Sequence, residues 1–210
     1  MMKRLFATAA LASLVAGPAF AQNYPYNQYN PDEGPYIGVG LGNAELDFDM
    51  EGYYESLGYP NVSSDDSDTA YKLFAGYQFN PNFAIEAGYA NFGEFSANSS
   101  APGYSGRAKL SVEGFTAGLV GKLPIQNGFS VYGKLGMIAW DAELDESEDY
   151  YEQSGSLTTS DDGTDPFYGI GAEYVVNQAV MRLEYERYDI ESDGEGLEID
   201  LVTAGIGYRF

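Results

Sequence analysis

Residues 71–89 read YKLFAGYQFNPNFAIEAGY, and this stretch decides the fold. Apolar side chains occupy every second position on both sides of a short Asn80-Pro81-Asn82 turn, which is the period of a β-strand. Apart from Phe74, the alternate positions carry small, polar or charged residues, among them Lys72 and Glu86. An uncharged apolar face opposite a face of small and charged residues is typical of a strand between lipid and a barrel interior. The stretch therefore predicts a membrane-embedded hairpin.

Six further segments of about ten residues show the same alternation. Their apolar faces carry Ile37, Val39 and Leu41; Phe115, Ala117, Leu119 and Leu123; Phe129, Val131, Leu135 and Met137; Tyr168, Ile170, Ala172, Tyr174 and Val176; Met181, Leu183 and Tyr185; and Val202, Ala204, Ile206, Tyr208 and Phe210. Together the segments predict an all-β fold, an eight-stranded antiparallel up-and-down transmembrane β-barrel over residues 35–210. Closure of the ring leaves no unpaired edge in lipid.

The connections between the predicted strands alternate in length. Short turns are predicted at Asn80 to Asn82, Pro124 to Gly128 and Asn177-Gln178, and longer loops near residues 50–68, 93–109, 141–165 and 189–198. Short turns at one end and long loops at the other are typical of outer-membrane barrels, with the short turns in the periplasm. A soluble, lipocalin-like barrel is the alternative, but it would place apolar side chains inside and charged side chains outside.

Residues 1–21 have the features of a cleaved export signal. Lys3 and Arg4 precede an apolar run, and Ala19-Phe20-Ala21 provides a small-x-small cleavage pattern. The alternative is a retained anchor, although the run is short for a membrane span. The cleavage point lacks a cysteine, which argues against lipoprotein processing. Residues 22–34, rich in Asn, Tyr and Pro, predict an irregular arm.

The composition narrows the possible chemistry. The 210-residue sequence contains no histidine and no cysteine, and its formal net charge is −22. Thiol nucleophiles, imidazole bases and the usual zinc ligands are therefore missing, so neither an enzyme activity nor a cofactor is predicted. Glu184 and Glu186 share one strand face, where they could serve as acid and base, but ion pairing beside Arg182 is the favoured interpretation. The negative charge argues against a nucleic-acid partner.

Acidic residues concentrate in three segments that contain no base. Residues 45–68, 141–165 and 189–200 hold 24 of the 32 acids. Asp161-Asp162-Gly163-Thr164-Asp165 offers dense oxygen ligands for a divalent cation, but the spacing of a calcium loop is incomplete. We therefore interpret these segments as a solvated, self-repelling surface with at most weak cation binding, and we predict no metal site.

Several segments, in the same order along nearly the whole mature chain, resemble the transmembrane domain of outer membrane protein A. They are Gly76 to Pro81 with Glu86 to Tyr89, Val131 to Gly136 with Trp140, Glu173-Tyr174, Arg182 to Tyr185, and Gly207 to Phe210. The resemblance implies a monomeric barrel in the cell outer membrane, in contact with lipids and lipopolysaccharide. It also implies that Tyr208 and Phe210 form a signal read by the outer-membrane assembly machinery. No counterpart of the family's peptidoglycan-binding domain follows, so a barrel-only relative, of the kind called porin-family, is expected.

The resemblance further implies a cluster of ion pairs inside the barrel. Glu86, Glu173 and Arg182 match members of that cluster by motif, and Lys134 matches an arginine. The family's fourth strand carries a lysine where this sequence has Gly118, and Lys122 is the candidate replacement. The expected cluster comprises Lys72, Glu86, Lys122, Lys134, Glu173, Arg182 and Glu184. Because isolated buried charges are costly, we expect these residues to pair across neighbouring strands.

These features predict a structural outer-membrane barrel with an ion-pair-plugged lumen and acidic extracellular loops. A surface interaction protein, such as an adhesin or a serum-resistance factor acting through those loops, is one alternative. A small channel is another. Deleting loops without loss of folding would separate the first two hypotheses, and conductance tests the third.

The acidic segment 141–165 gives a first test. If its acids are only solvated charge, neutralising several of them leaves folding intact, and divalent-cation binding is weak and falls with added salt. Calorimetry with Ca²⁺ on the parent and the neutralised variant checks both points. A tight, stoichiometric calcium site in the parent would contradict this interpretation.

Overall fold

The computed structural model describes residues 33–47, 50–59, 61–150, 153–192 and 195–210. The predicted signal peptide and residues 22–32 of the predicted arm lie outside the described residues. One helix and nine strands are described: β1 Gly34–Asp47, α1 Met50–Ser56, β2 Val62–Asp65, β3 Ser67–Asn80, β4 Phe83–Ala101, β5 Tyr104–Gln126, β6 Phe129–Tyr150, β7 Gln153–Val176, β8 Ala179–Ser192 and β9 Glu195–Arg209. In this part of the chain, no helix is long and apolar enough to cross a membrane.

Eight of these strands form a closed ring. Following the backbone pairing, the order is β1-β3-β4-β5-β6-β7-β8-β9, and β9 pairs back to β1 from Tyr36↔Arg209 to Asp47↔Glu198. All pairings are antiparallel, so the predicted eight-stranded up-and-down barrel is confirmed. The additional strand, β2, lies outside the ring and pairs with β4 from Val62↔Ser99 to Asp65↔Ser96.

The outer surface of the ring is apolar, as the period-two pattern predicts. Leu41, Ile170 and Ile206 expose about two thirds of their surface, while their sequence neighbours face inward. Aromatic rings lie near both ends of this surface, where Tyr89 contacts Phe115 and Tyr208 contacts Phe210. An apolar band between two aromatic girdles fits a bilayer, because amphipathic tyrosine rings favour the level of the lipid headgroups.

The long connections differ from the prediction. The segments near 93–109, 141–165 and 189–198, expected as loops, are mostly strand. The β5–β6 ladder, for example, runs without a break from Gly121↔Gly133 to Tyr104↔Tyr150. These extensions have polar residues on their exposed face and no continuous apolar row, so the alternation signal is missing. The extensions form strands because the backbone pairing that starts in the membrane continues beyond it, so that the backbone amides and carbonyls stay hydrogen-bonded.

Residues 50–68 contain α1 and β2 rather than an irregular loop. This segment is tied to β6 by tyrosine hydroxyls: Tyr54 donates to Glu146 at 3.2 Å, and Tyr59 donates to Glu148 at 2.9 Å. Tyr104, at the outer end of β5, also donates to Glu148. Desolvation and the neighbouring Glu148 charge raise the pKa of Tyr104 to about 12, so this hydroxyl stays protonated as a donor at neutral pH.

The inner face of β1 allows a matched test of how tightly the ring is closed. A methyl group added at Gly42 would overlap the carbonyl of Val202 on β9, whereas at Gly40 the nearest atoms would be 3.5 Å away. We expect Gly42→Ala to destabilise the barrel by about 1–3 kcal/mol through overpacking. Gly40→Ala is expected to be neutral or stabilising by up to about 1 kcal/mol, because glycine in a strand costs chain entropy. Urea titration of both variants in lipid vesicles measures the difference, and equal effects would contradict the tight β1–β9 contact.

Candidate functional site

The barrel interior gathers nine charged side chains from seven consecutive strands. They are Lys72 on β3, Glu86 on β4, Lys122 on β5, Lys134 on β6, Glu173 on β7, Arg182, Glu184 and Glu186 on β8, and Arg209 on β9. Each lies at an inward position of its strand, and all except Arg209 are buried. The seven residues expected from the sequence are therefore all in one place.

Glu86 is at the centre of this charged network. One carboxylate oxygen accepts from Lys134 Nζ at 2.6 Å, and the other accepts from Arg182 Nη1 at 2.6 Å and from the Tyr36 hydroxyl at 3.0 Å. Lys134 in turn contacts Glu184 at 2.8 Å. Charge-assisted hydrogen bonds of this kind are the strong ones in proteins, and here both partners are withdrawn from bulk water.

The network continues on both sides of Glu86. Towards the periplasmic turns, Glu173 accepts from Lys122 at 3.0 Å, from Arg182 Nε at 2.8 Å and from Arg209. Towards the other end, Lys72 pairs with both Glu184 and Glu186, and Lys134 lies 2.9 Å from Glu186. Each acid has at least two cationic partners, which is the arrangement that offsets the desolvation of a buried charge.

Aromatic rings enclose the guanidinium of Arg182. Its central carbon lies 4.5 Å from the ring centre of Phe74, 4.9 Å from that of Tyr36 and 5.4 Å from that of Tyr132. A guanidinium within about 6 Å of an aromatic face is attracted to it, and the attraction grows when water is absent. The rings also restrict the rotamers of Arg182, so its two ion pairs are held in one geometry.

The pairing differs from the expectation in one respect. We expected facing residues on neighbouring strands to pair, but of the network's salt bridges only Arg182–Glu173 joins two strands adjacent in the ring. All the others skip at least one strand, and Glu86 on β4 and Arg182 on β8 come from opposite walls. The reason is the small diameter: long side chains from all walls of an eight-stranded barrel converge on its axis.

An apolar layer, not expected from the sequence, lies on the extracellular side of the charges. Its large members are Leu46, Phe92, Phe95, Ile138, Trp140, Phe167, Tyr188, Ile190, Ile199 and Leu201. Tyr188 stacks on Phe167 at 5.1 Å, contacts the Phe92 ring at 4.8 Å, and donates its hydroxyl to Glu186. It therefore joins the apolar layer to the charged network.

A β-bulge explains why this layer was missed. The β4–β5 register shifts between Asn91 and Glu94, and Gly93 takes a φ of +82°. The shift brings both Phe92 and Phe95 inside, although their odd spacing puts them on opposite faces of a regular strand. The Asn-Phe-Gly sequence before Glu94 is the signal that indicates such a break. Arg209 and Tyr36 were also absent from the expected cluster, and each contacts one of its acids.

The acidic motif at 161–165 has a different environment from the lumen network. Asp165 accepts from the indole of Trp140 at 2.6 Å and from the amide of Glu191 at 3.2 Å. Within the described ranges, no group of three or more acidic side chains is arranged to hold a metal ion.

Comparison with known proteins agrees with this architecture. Residues 7–210 match the outer membrane protein beta-barrel domain family. Outer membrane protein P5 of Haemophilus influenzae is 29% identical, over 96% of this chain and 60% of that protein. Outer membrane protein A of Klebsiella aerogenes is 27% identical, over 83% of this chain and 48% of that protein. This chain thus spans about half to three fifths of the length of these relatives. The crystal structure of OprG from Pseudomonas aeruginosa shares the fold, with a TM-score of 0.53 at 19% identity over 85% of this chain and 97% of that chain.

Removing one partner from the network tests its contribution to stability. Arg182→Ala leaves Glu86 and Glu173 each short of a cation in a buried site, and we expect a loss of about 3–5 kcal/mol in the free energy of unfolding. Lys109→Ala is the control, because the Lys109–Glu94 pair is exposed and contributes at most about 1 kcal/mol. Urea unfolding in lipid vesicles measures both values. If Arg182→Ala and Lys109→Ala lowered the free energy of unfolding by similar amounts, burial of the network would not contribute to stability.

Proposed function

Because the chain belongs to the outer membrane protein beta-barrel family and lies in the cell outer membrane, we propose that it is a structural barrel whose lumen is closed to ions. The observation that carries this proposal is the 2.6 Å contact between Glu86 and Arg182, which joins opposite walls of the ring. An ion crossing the barrel would have to break contacts between fully desolvated charges.

The apolar layer gives a second barrier in series with the first. Phe92 and Phe167 both contact the ring of Tyr188, whose hydroxyl donates to Glu186. An ion that passed the charged network would next have to cross this layer, where nothing replaces its hydration shell. Two barriers of different chemistry support a closed lumen more strongly than the ion pairs alone.

The proposed role involves no catalysis. The acids of the lumen are held by cations, and the sequence has neither histidine nor cysteine to serve as base or nucleophile. The apolar outer band suits contact with membrane lipid, so the barrel acts through its presence in the membrane rather than through a reaction.

Single-channel recording in planar bilayers tests the closed lumen. We expect the parent to be silent and Arg182→Ala to show small, flickering conductance, because the contact between opposite walls is gone. Lys109→Ala, which alters an exposed ion pair, is expected to stay silent. Only protein with the gel mobility of the folded barrel is reconstituted. Large, stable conductance from the parent would overturn the proposal and favour a small channel.

A further inference from the structure

The pairing of β7 is asymmetric. On one side it pairs with β6 along its length, from Gln153↔Tyr150 to Tyr174↔Phe129. On the other side it pairs with β8 only from Phe167↔Tyr188 to Val176↔Ala179. Among the described residues, no strand pairs with this second side over 153–166. The upper part of β7 is therefore an open sheet edge about fourteen residues long, in the extension outside the membrane.

The residues next to Phe167↔Tyr188 explain why the β7–β8 ladder ends at this pair. Pro166 comes next after the last pair and has no amide hydrogen to donate. Beside it, the Asp165 carboxylate accepts the Glu191 amide, so a side chain takes the place of a backbone partner. β8 pairs with β9 along its whole length, from Ala179 to Ser192, so beyond Tyr188 it continues with a strand partner on the β9 side alone.

The register shows which residues face the open side. In an antiparallel ladder, successive residues direct their amide and carbonyl groups to alternate neighbours. The two-residue turn after Val176 makes Val176↔Ala179 a hydrogen-bonded pair, so even-numbered residues of β7 face the β8 side. Val175 agrees, because its amide donates at 2.9 Å to Gly128 on the β6 side. The edge groups thus belong to Ser154, Ser156, Thr158, Ser160, Asp162 and Thr164.

Above Pro166, this edge has little of the usual protection against strand pairing. Proteins block open edges with charged side chains, above all lysine, with proline or with β-bulges. Among the even-numbered residues of 154–164, only Asp162 carries a charge. Residues 154–165 contain neither lysine nor proline, and the β6–β7 register has no shift. All six even-numbered residues are exposed. The Asp162 amide donates to the Asp161 carboxylate at 2.9 Å, and the backbone of the other five edge residues is open to another strand.

The charge around the open edge of β7 determines which kind of strand can bind there. Residues 141–165, the β6–β7 extension, hold ten acids and no base, and Asp189 and Glu191 line the β8 side of the opening. A second copy of this chain would place acids opposite acids, which is unfavourable in a sheet. We propose that the upper edge of β7 binds an extended, basic peptide segment by β-strand addition. This interaction is independent of whether the lumen is closed.

Substitutions at Ser160 separate backbone pairing from charge attraction. Ser160→Pro removes one edge amide but keeps every charge. The β6–β7 ladder is unaffected, because the Ser160 amide faces away from β6. Ser160→Ala is the matched control. The probe is a blocked ten-residue peptide of alternating lysine and threonine, titrated onto the folded full chain in lipid nanodiscs by fluorescence anisotropy. We expect Ser160→Pro to weaken binding at least tenfold and Ser160→Ala to stay within twofold of the parent.

A second peptide and a second measurement complete the test. An alternating lysine–proline peptide has the same charge but cannot form a strand, and we expect it to bind at least tenfold more weakly. Amide hydrogen exchange should slow at Ser154, Ser156, Thr158, Ser160 and Thr164 when the lysine–threonine peptide binds, because the odd-numbered amides face β6 and the Asp162 amide already donates to Asp161. Equal binding of the two peptides, or unchanged binding to Ser160→Pro, would reduce the interaction to charge and overturn the proposal. Dimers of the parent that Ser160→Pro abolishes would identify a second copy as the occupant and overturn it as well.

Discussion

The structure depends on one constraint: within a bilayer, backbone amides and carbonyls find no water and must pair with one another. The β1–β9 ladder meets this constraint by closing the ring, so that each of the eight described ring strands has a partner on both sides at membrane depth. Closure with eight strands fixes a narrow interior. Closure also brings the backbones of β1 and β9 close together, so that an added Cβ at Gly42 or Gly205 would meet backbone atoms of the neighbouring strand.

The narrow interior in turn determines how the charges are arranged. Lysine and arginine side chains are long enough to reach the axis from any wall, so pairs form between strands distant in the ring rather than between neighbours. Glu173 binds three cations and Lys134 contacts three acids because few positions near the axis are available. Tyr36, Phe74 and Tyr132 fill the remaining space around Arg182.

The sequence predicts most of the membrane-embedded wall, because lipid on one side and a polar lumen on the other produce a clear period of two. It also predicts seven of the nine network residues as members of the charged cluster, and misses Glu186 and Arg209. It could not predict the partners, which depend on how far around the ring each strand lies. The bulge near Gly93 reverses which residues of the later part of β4 face inward, so the inward position of Phe95 was not predicted. The polar extensions of β5 to β7 were not predicted as strands, because they carry no apolar row. The sequence Asp161 to Asp165 offers possible cation ligands, but the Asp165 carboxylate accepts the Glu191 amide at the end of the β7–β8 ladder.

The contact between Glu86 and Arg182 has a mechanical consequence. A ring of hydrogen-bonded strands resists stretching along its circumference, yet it can flatten into an ellipse without breaking any backbone bond. The ion pair between β4 and β8, which face each other across the ring, limits one diameter, and the aromatic rings around Arg182 hold its guanidinium in place. Lateral forces from the surrounding lipid therefore cannot lengthen the distance between these two walls without breaking a buried ion pair.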